Sequence, residues 1–289
     1  MGEPILEIVD AGFGVALQDL GRRGWKRFGV PPGGALDRHA ARLANQLVGN
    51  LPDAPVLEIL YHGACVQARR RIEVALTGAA VSTGRPGDWH TFWLSDGEAL
   101  AIAPPRAGVW SYMAVSGGLA GTRWFGSVSA FPRGGLGSVL ESGTVLERPV
   151  HPFVPLPPAI GRRWIDPTEQ RDYLYPPAFR VWPGPQWQLF SEATRGAFFG
   201  QSWTVSSRSD RTGYRLDGGP MSCAAEVIPS EPVLPGSIQV PPDGRPIITM
   251  RDGPTVGGYP KIGLLDSAQL SWLAQCRPGQ RIRFVVAST

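Results

Sequence analysis

Lysine is nearly absent: Lys26 and Lys261 are the only two in 289 residues, so 26 of the 28 basic residues are arginines. A Ser-Ser-Lys amidase needs a lysine beside a Gly/Ser-rich loop. Here the lysines follow Trp25 and Pro260, and neither setting fits. Lys26 also lacks the flanking methionines of a biotin-attachment site. Cysteine is scarce too. Cys65, Cys223 and Cys276 are odd in number and far apart, which excludes a disulfide framework and a zinc knuckle. The four histidines, His39, His62, His90 and His151, show no metal-ligand spacing, so no metal is expected. Every apolar run is cut by Gly, Pro or a charge well short of the roughly 20 residues that cross a bilayer. Met1-Gly2-Glu3-Pro4 carries no basic segment followed by an apolar core, so a cytoplasmic location is expected. No G-x-x-x-x-G-K-[ST] loop or G-x-S-x-G elbow occurs, and Gly12-Phe13-Gly14 lacks the third glycine of a dinucleotide fingerprint. Arg22-Arg23, Arg69-Arg70-Arg71 and Arg162-Arg163 are isolated clusters rather than a basic stripe, which argues against nucleic acid.

What is present points to β structure. Thirty-seven glycines and 29 prolines punctuate short runs rich in Val, Ile, Leu and Trp. A mainly β chain with a few short helices is predicted, with strands at 5–9, 72–76, 91–94, 100–103, 112–115, 202–206, 237–240, 246–250 and 281–286. Leu36, Ala40, Leu43, Ala44 and Leu47 form a helical stripe that stops at Gly49-Asn50. A second helix is predicted to start at a capping-box-like Asp266/Gln269 pair and to end at Pro278-Gly279. Eight prolines between Pro149 and Pro177 mark a linker, which predicts an N-terminal β module over 1–148, a linker over 149–177 and a C-terminal β module over 178–289 carrying most of the site.

Polar side chains gather in Gly/Pro-framed segments around Gln18–Arg22, Ser209–Arg215, Gly236–Pro242 and Arg251–Lys261. Singly, each reads as an ordinary turn or surface ion pair. Together, Arg211, Arg215, Arg251 and Lys261 offer cations for a carboxylate or phosphate, while Asp252, Gln239 and Tyr259 offer acceptors and donors for an amide. Gly257-Gly258 is expected to admit close backbone approach and to require positive φ. A small acidic amide is the substrate class this combination suits.

These segments carry a family resemblance. Val15–Arg22 with Gly24, Gly33-Gly34-Ala35-Leu36-Asp37, Ala44–Asn50, Leu57-Glu58-Ile59, Leu76–Ala79, Ser209–Leu216, Leu234–Pro241 and Asp252–Pro260 resemble the family that includes allophanate hydrolase subunit 2, the carboxyltransferase module of urea carboxylase and the C subunit of 5-oxoprolinase. The resemblance implies cyclophilin-like β-barrel modules. It also implies a role as the C-type member of a complex that converts 5-oxoproline to L-glutamate with ATP, the ATP being bound by or with partner subunits of the A type and of the kinase-inhibitor-like B type. Under it, Asp252, Tyr259 and Lys261 are the catalytic candidates, and Arg211, Tyr214, Arg215, Gln239, Thr255, Gly257 and Gly258 the substrate-binding ones. Two alternatives come with the same family. One is a carboxyltransferase acting on a urea-like amide, with biotin supplied by another chain; the other is a non-catalytic regulator that antagonises a histidine-kinase inhibitor. The chain departs from the family pattern at Asp210 and Thr212, where Asn and Met are usual, at Pro254-Thr255-Val256 in place of Gln-Thr-Thr, and at Val128–Pro132, where a Ser-Thr-Asp-rich segment is usual.

Overall fold

The computed structural model describes residues 2–79, 81–82, 89–150 and 163–287. The chain forms two compact units, Met1–Arg23 with Gly33–Tyr173, and Gly24–Pro32 with Leu174–Thr289. Much of the proline-rich stretch, 151–162, lies outside the described residues. Its next residues pack into the first unit: Ile165 is buried, Arg163 pairs with Glu73 at 2.7 Å, and the Tyr173 hydroxyl donates to Asp37 Oδ2 at 2.8 Å.

The first unit is built on two five-stranded sheets. One is formed by Glu3–Asp10 (β1), Ala64–Ala68 (β4), Val81–Ser82 (β6), Ala99–Ala103 (β8) and Val145–Arg148 (β10), in the order β10-β1-β4-β8-β6. The other is formed by Val15–Gln18 (β2), Val56–Leu60 (β3), Ile72–Gly78 (β5), His90–Leu94 (β7) and Trp110–Val115 (β9), in the order β2-β3-β9-β5-β7. Alternating Val, Ile and Leu side chains of both sheets, among them Leu6, Ile8, Val66, Ile59, Val74, Leu76 and Val115, meet in one core. The first predicted helix is observed as Arg38–Leu47 (α1). Asp37 caps it by accepting the Ala40 N–H at 3.0 Å, and Gly49 follows it at φ +74.

The second unit is a nearly closed barrel of eight strands. These are Phe179–Pro183 (β11), Trp203–Val205 (β12), Gly213–Asp217 (β13), Ser237–Gln239 (β15), Ile247–Thr249 (β16), Lys261–Leu265 (β18), Arg281–Ile282 (β19) and Phe284–Val286 (β20), in the order β19-β12-β13-β16-β15-β18-β11-β20. The closure has a direct cause. The predicted strand 281–286 is interrupted at Arg283, so that Arg281–Ile282 pairs with β12 at one edge and Phe284–Val286 with β11 at the other. One stretch of chain thus removes both edges. Phe198 of Glu192–Gly200 (α2) stacks on Phe284 with ring centroids 4.8 Å apart, and its carbonyl accepts the Trp203 indole N–H at 3.0 Å. The second predicted helix shrinks to Leu270–Leu273 (α3). Its capping box does not form, because Gln269 Oε1 accepts the Arg180 N–H and the Asp266 carboxylate binds the Arg180 guanidinium and the Ala268 N–H. Among the described residues no helix is long and apolar enough to cross a membrane.

Candidate functional site

Across the barrel wall, directly opposed residues form a row: Arg215 on β13 faces Ile247, Ile247 faces Gln239, and Gln239 faces Lys261. Opposed residues of antiparallel strands share a face, so Arg215, Gln239 and Lys261 point to the same side. The alternate row, Tyr214, Ile248 and Ile238, is buried on the other side, and the Tyr214 hydroxyl donates to the Ala274 carbonyl at 2.7 Å. The strand period therefore separates the neighbours Tyr214 and Arg215. Only Arg215, which is exposed, belongs to the candidate face.

A two-stranded ribbon, Glu231–Pro232 (β14) against Val256–Gly257 (β17), lies along this face. Gln239 is buried, with its amide Nε2 donating to Thr249 Oγ1 at 2.9 Å. Its Oε1 lies so near Gly257 that a Cβ there would be 2.8 Å away. Gly257 and Gly258 are both outside the left-handed region, so the expected positive φ is not what glycine supplies here. It supplies close approach, to Gln239 at Gly257 and to the Ile228 carbonyl, 3.1 Å from a Cβ, at Gly258. Thr255 is buried, and its carbonyl accepts the Val233 N–H at 3.0 Å.

Lys261 is almost wholly buried, with Nζ 2.5 Å from Glu231 Oε1. Gln186 braces the pair, donating from Nε2 to Glu231 at 2.9 Å and accepting the Lys261 N–H at 3.1 Å. The Lys261 hydrogen bond, then that of Gln186, holds the Glu231 carboxyl below its ordinary value. In the same unit, Arg211 and Asp252 form a two-pronged pair, Nε to Oδ2 at 2.6 Å and Nη2 to Oδ1 at 3.2 Å. Tyr259 is exposed. Asp210 caps a turn, accepting the N–H groups of Thr212 and Gly213 at 2.8 and 3.1 Å. Asparagine serves that turn equally well, so the departure from the family pattern there is structurally mild.

Two clefts of the second unit, of about 430 Å³ beside α2 and about 320 Å³ near Met221 and Gly244, are lined by none of the predicted site residues. The candidate site is thus a packed, ion-paired face under a ribbon rather than either of these open cavities.

Sequence reasoning passed over Lys26. The segment Gly24–Pro32 belongs to the second unit, and Lys26 Nζ donates to the Val233 carbonyl, immediately after the ribbon strand β14. Burial lowers its pKa. Both lysines of the chain therefore arrive at Glu231–Val233. In the first unit a second polar centre surrounds buried Asp19. Its Oδ1 accepts Ser127 Oγ at 2.6 Å, Ser129 Oγ at 2.6 Å and the Gly21 N–H at 2.7 Å, and Oδ2 accepts the Val128 N–H at 2.9 Å. This is where the segment departing at Val128 meets the Gln18–Arg22 motif.

Residues 28–286 match the carboxyltransferase domain family, subdomains A and B. The chain belongs to that family. It is 36% identical over 293 residues to the C subunit of 5-oxoprolinase from Escherichia coli (strain K12), covering 98% of this chain and 92% of the relative. The crystal structure of TTHA0988 superposes with a TM-score of 0.85 at 35% identity, covering 98% of this chain and 55% of that one, so the chain spans about half of that protein. The Kluyveromyces lactis urea amidolyase superposes with a TM-score of 0.86 at 27% identity, over 100% of this chain and 19% of that much longer one. Carboxyltransferase-family membership and the barrel agree with the fold the sequence motifs imply.

Proposed function

We propose that the chain is the C subunit of an ATP-dependent 5-oxoprolinase, opening 5-oxoproline to L-glutamate in complex with A-type and B-type partners in the cytoplasm. One observation carries this reading: the match to the Escherichia coli 5-oxoprolinase component is nearly coextensive, covering 98% of one chain and 92% of the other. In the urea amidolyase the same fold is a small part of a long chain.

Opening the lactam breaks the C–N bond, adds water to the carbonyl carbon and leaves a free amine and a new carboxylate, with ATP hydrolysis driving the step. In this reading Gln239 and the Gly257-Gly258 backbone engage the lactam amide. Lys261 and Arg211, fixed by Glu231 and Asp252, stabilise charge on oxygen or phosphate. Asp252 and Tyr259 handle protons, and Arg215 and Thr255 orient the substrate. Tyr214, with its hydroxyl committed to Ala274, serves the barrel wall. The sequence has no P-loop motif, so ATP is assigned to the partners.

The test is co-purification with the neighbouring gene products, followed by an assay for ATP-dependent glutamate formation. Turnover by the assembled complex and none by the single chain is expected; robust turnover by the chain alone refutes the subunit role. The similarity to urea amidolyase supports a second reading, carboxyl transfer to a urea-like amide with biotin on another chain. Carboxylation of urea by a mixture with a biotinylated carrier, without glutamate formation, would favour it.

A further inference from the structure

We infer that the first unit holds a separate oxyanion-binding subsite centred on Arg38, fitted to a carboxylate or a phosphate. Arg38 is the first residue of α1, directly after the capping Asp37. Among the described residues its side chain makes no hydrogen bond or ion pair, and its Nε is buried without a partner. The residue as a whole is only partly buried, so a solute can reach the guanidinium.

The surrounding charges do not neutralise it. Burial acts first and Arg23 second to lower the Arg38 pKa, with Asp19 opposing, and the result is about 10. At neutral pH the group is therefore still a cation. Asp19 is a poor counter-ion because its carboxylate is already spent on Ser127, Ser129, Gly21 and Val128. A desolvated cation close to a second cation, with the Asp19 carboxylate engaged as above and that of Asp37 taken by the Ala40 N–H and the Tyr173 hydroxyl, is an arrangement that an anion completes.

Close backbone packing builds this arrangement. The Ala35 N–H donates to the Asp19 carbonyl at 2.9 Å, and Gly34, at φ +90, lies where a Cβ would be 2.8 Å from the Gly21 nitrogen. Side-chain-free backbone lets the loop before α1 lie against the turn at Asp19–Gly21. The planar guanidinium suits an oxyanion, and the α1 N-terminus adds potential of the same sign.

The inference is independent of the 5-oxoprolinase reading, because it is tested on the isolated full chain without turnover. Calorimetry and thermal melting would be run with inorganic phosphate, with 5-oxoproline and with chloride at matched ionic strength. Saturable binding of phosphate or 5-oxoproline, with no response to chloride, is expected, and the two arms tell which oxyanion the site prefers. Arg38→Gln should weaken it by at least about tenfold while leaving the anion-free melting temperature unchanged or raised, since an unpaired charge is removed. Should Arg38→Gln fail to fold, Arg23→Gln, at an exposed position, is expected to weaken binding several-fold. Absence of saturable binding by the wild type, or equal binding by both variants, overturns the inference. Binding with no glutamate formation by the assembled complex would sink only the 5-oxoprolinase reading.

Discussion

Replacing Asp19 tests whether the first unit's polar centre is as tightly satisfied as its geometry indicates. The carboxylate takes four hydrogen bonds, from Ser127 Oγ, Ser129 Oγ and the N–H groups of Gly21 and Val128. In Asp19→Ala the two hydroxyl oxygens keep the N–H groups they accept, Ser129 Oγ that of residue 19 and Ser127 Oγ that of Ser129, each at 3.0 Å, and their own protons, having lost the carboxylate, are free to rotate. The two amides cannot rotate. An orphaned buried amide costs about 1–3 kcal/mol; the Val128 amide is buried and the half-buried Gly21 amide costs less, so a loss of about 3 kcal/mol is expected. Asp19→Asn keeps an acceptor for three donors but turns an NH₂ toward the Val128 N–H, which should cost about 2 kcal/mol. Urea denaturation at constant m-value reads the loss, and hydrogen exchange at the Val128 amide should accelerate in both variants. A loss below about 1 kcal/mol in Asp19→Ala, with unchanged exchange at Val128, would show that the network is not holding this segment.

Gly257→Ala should destabilise by about 1–3 kcal/mol, because its Cβ meets Gln239 Oε1 at 2.8 Å and Val233 Cγ2 at 3.0 Å; urea melts check the cost, and turnover of the assembled complex should fall with it. Arg211→Met leaves the buried Asp252 carboxylate without its guanidinium and should cost about 3 kcal/mol, read by thermal melting; a loss of activity with no change in stability would make the pair purely functional. The Glu231 carboxyl is held below its ordinary 4.5 by Lys261 and then Gln186, so the pair's contribution is present above that value and disappears as pH falls through the lowered one. Glu231→Gln should flatten this acid limb of the denaturation midpoint, and an unchanged limb would refute the assignment.

The strands of the fold were largely legible because alternation survives in short β segments, and the observed β1, β5, β7, β8, β9, β15 and β16 enclose or overlap the predicted ones. The helices were less so. Glu192–Gly200 went unpredicted because Gly196 interrupts it and its N-cap, Ser191, is a single residue that accepts the Thr194 N–H at 3.1 Å. The helix predicted from Asp266 was too long for the opposite reason. Its capping residues carry the right side chains, but Arg180, distant in sequence, takes both. Local signals identify what a segment is able to do, and a long-range partner decides what it does.

The same limit governs the candidate site. Gln239, Lys261 and Gly257 were readable as polar or glycine positions within framed loops, and strand register then sets the first two directly opposite one another. Tyr214 was equally readable as a motif residue, yet period-two alternation turns it toward Ala274 while Arg215 faces out. Lys26 gave no local sign at all, since its partner carbonyl, Val233, lies 207 residues away. Its scarcity was the available clue. In a chain whose other basic residues are arginines, the two positions that carry an amine are the two that reach Glu231–Val233. An ammonium differs from a guanidinium in having a pKa that burial can bring down toward working pH, and burial lowers that of Lys26. The ribbon is therefore the place on this barrel that both amines reach, Lys261 through the Glu231 carboxylate and Lys26 through the Val233 carbonyl.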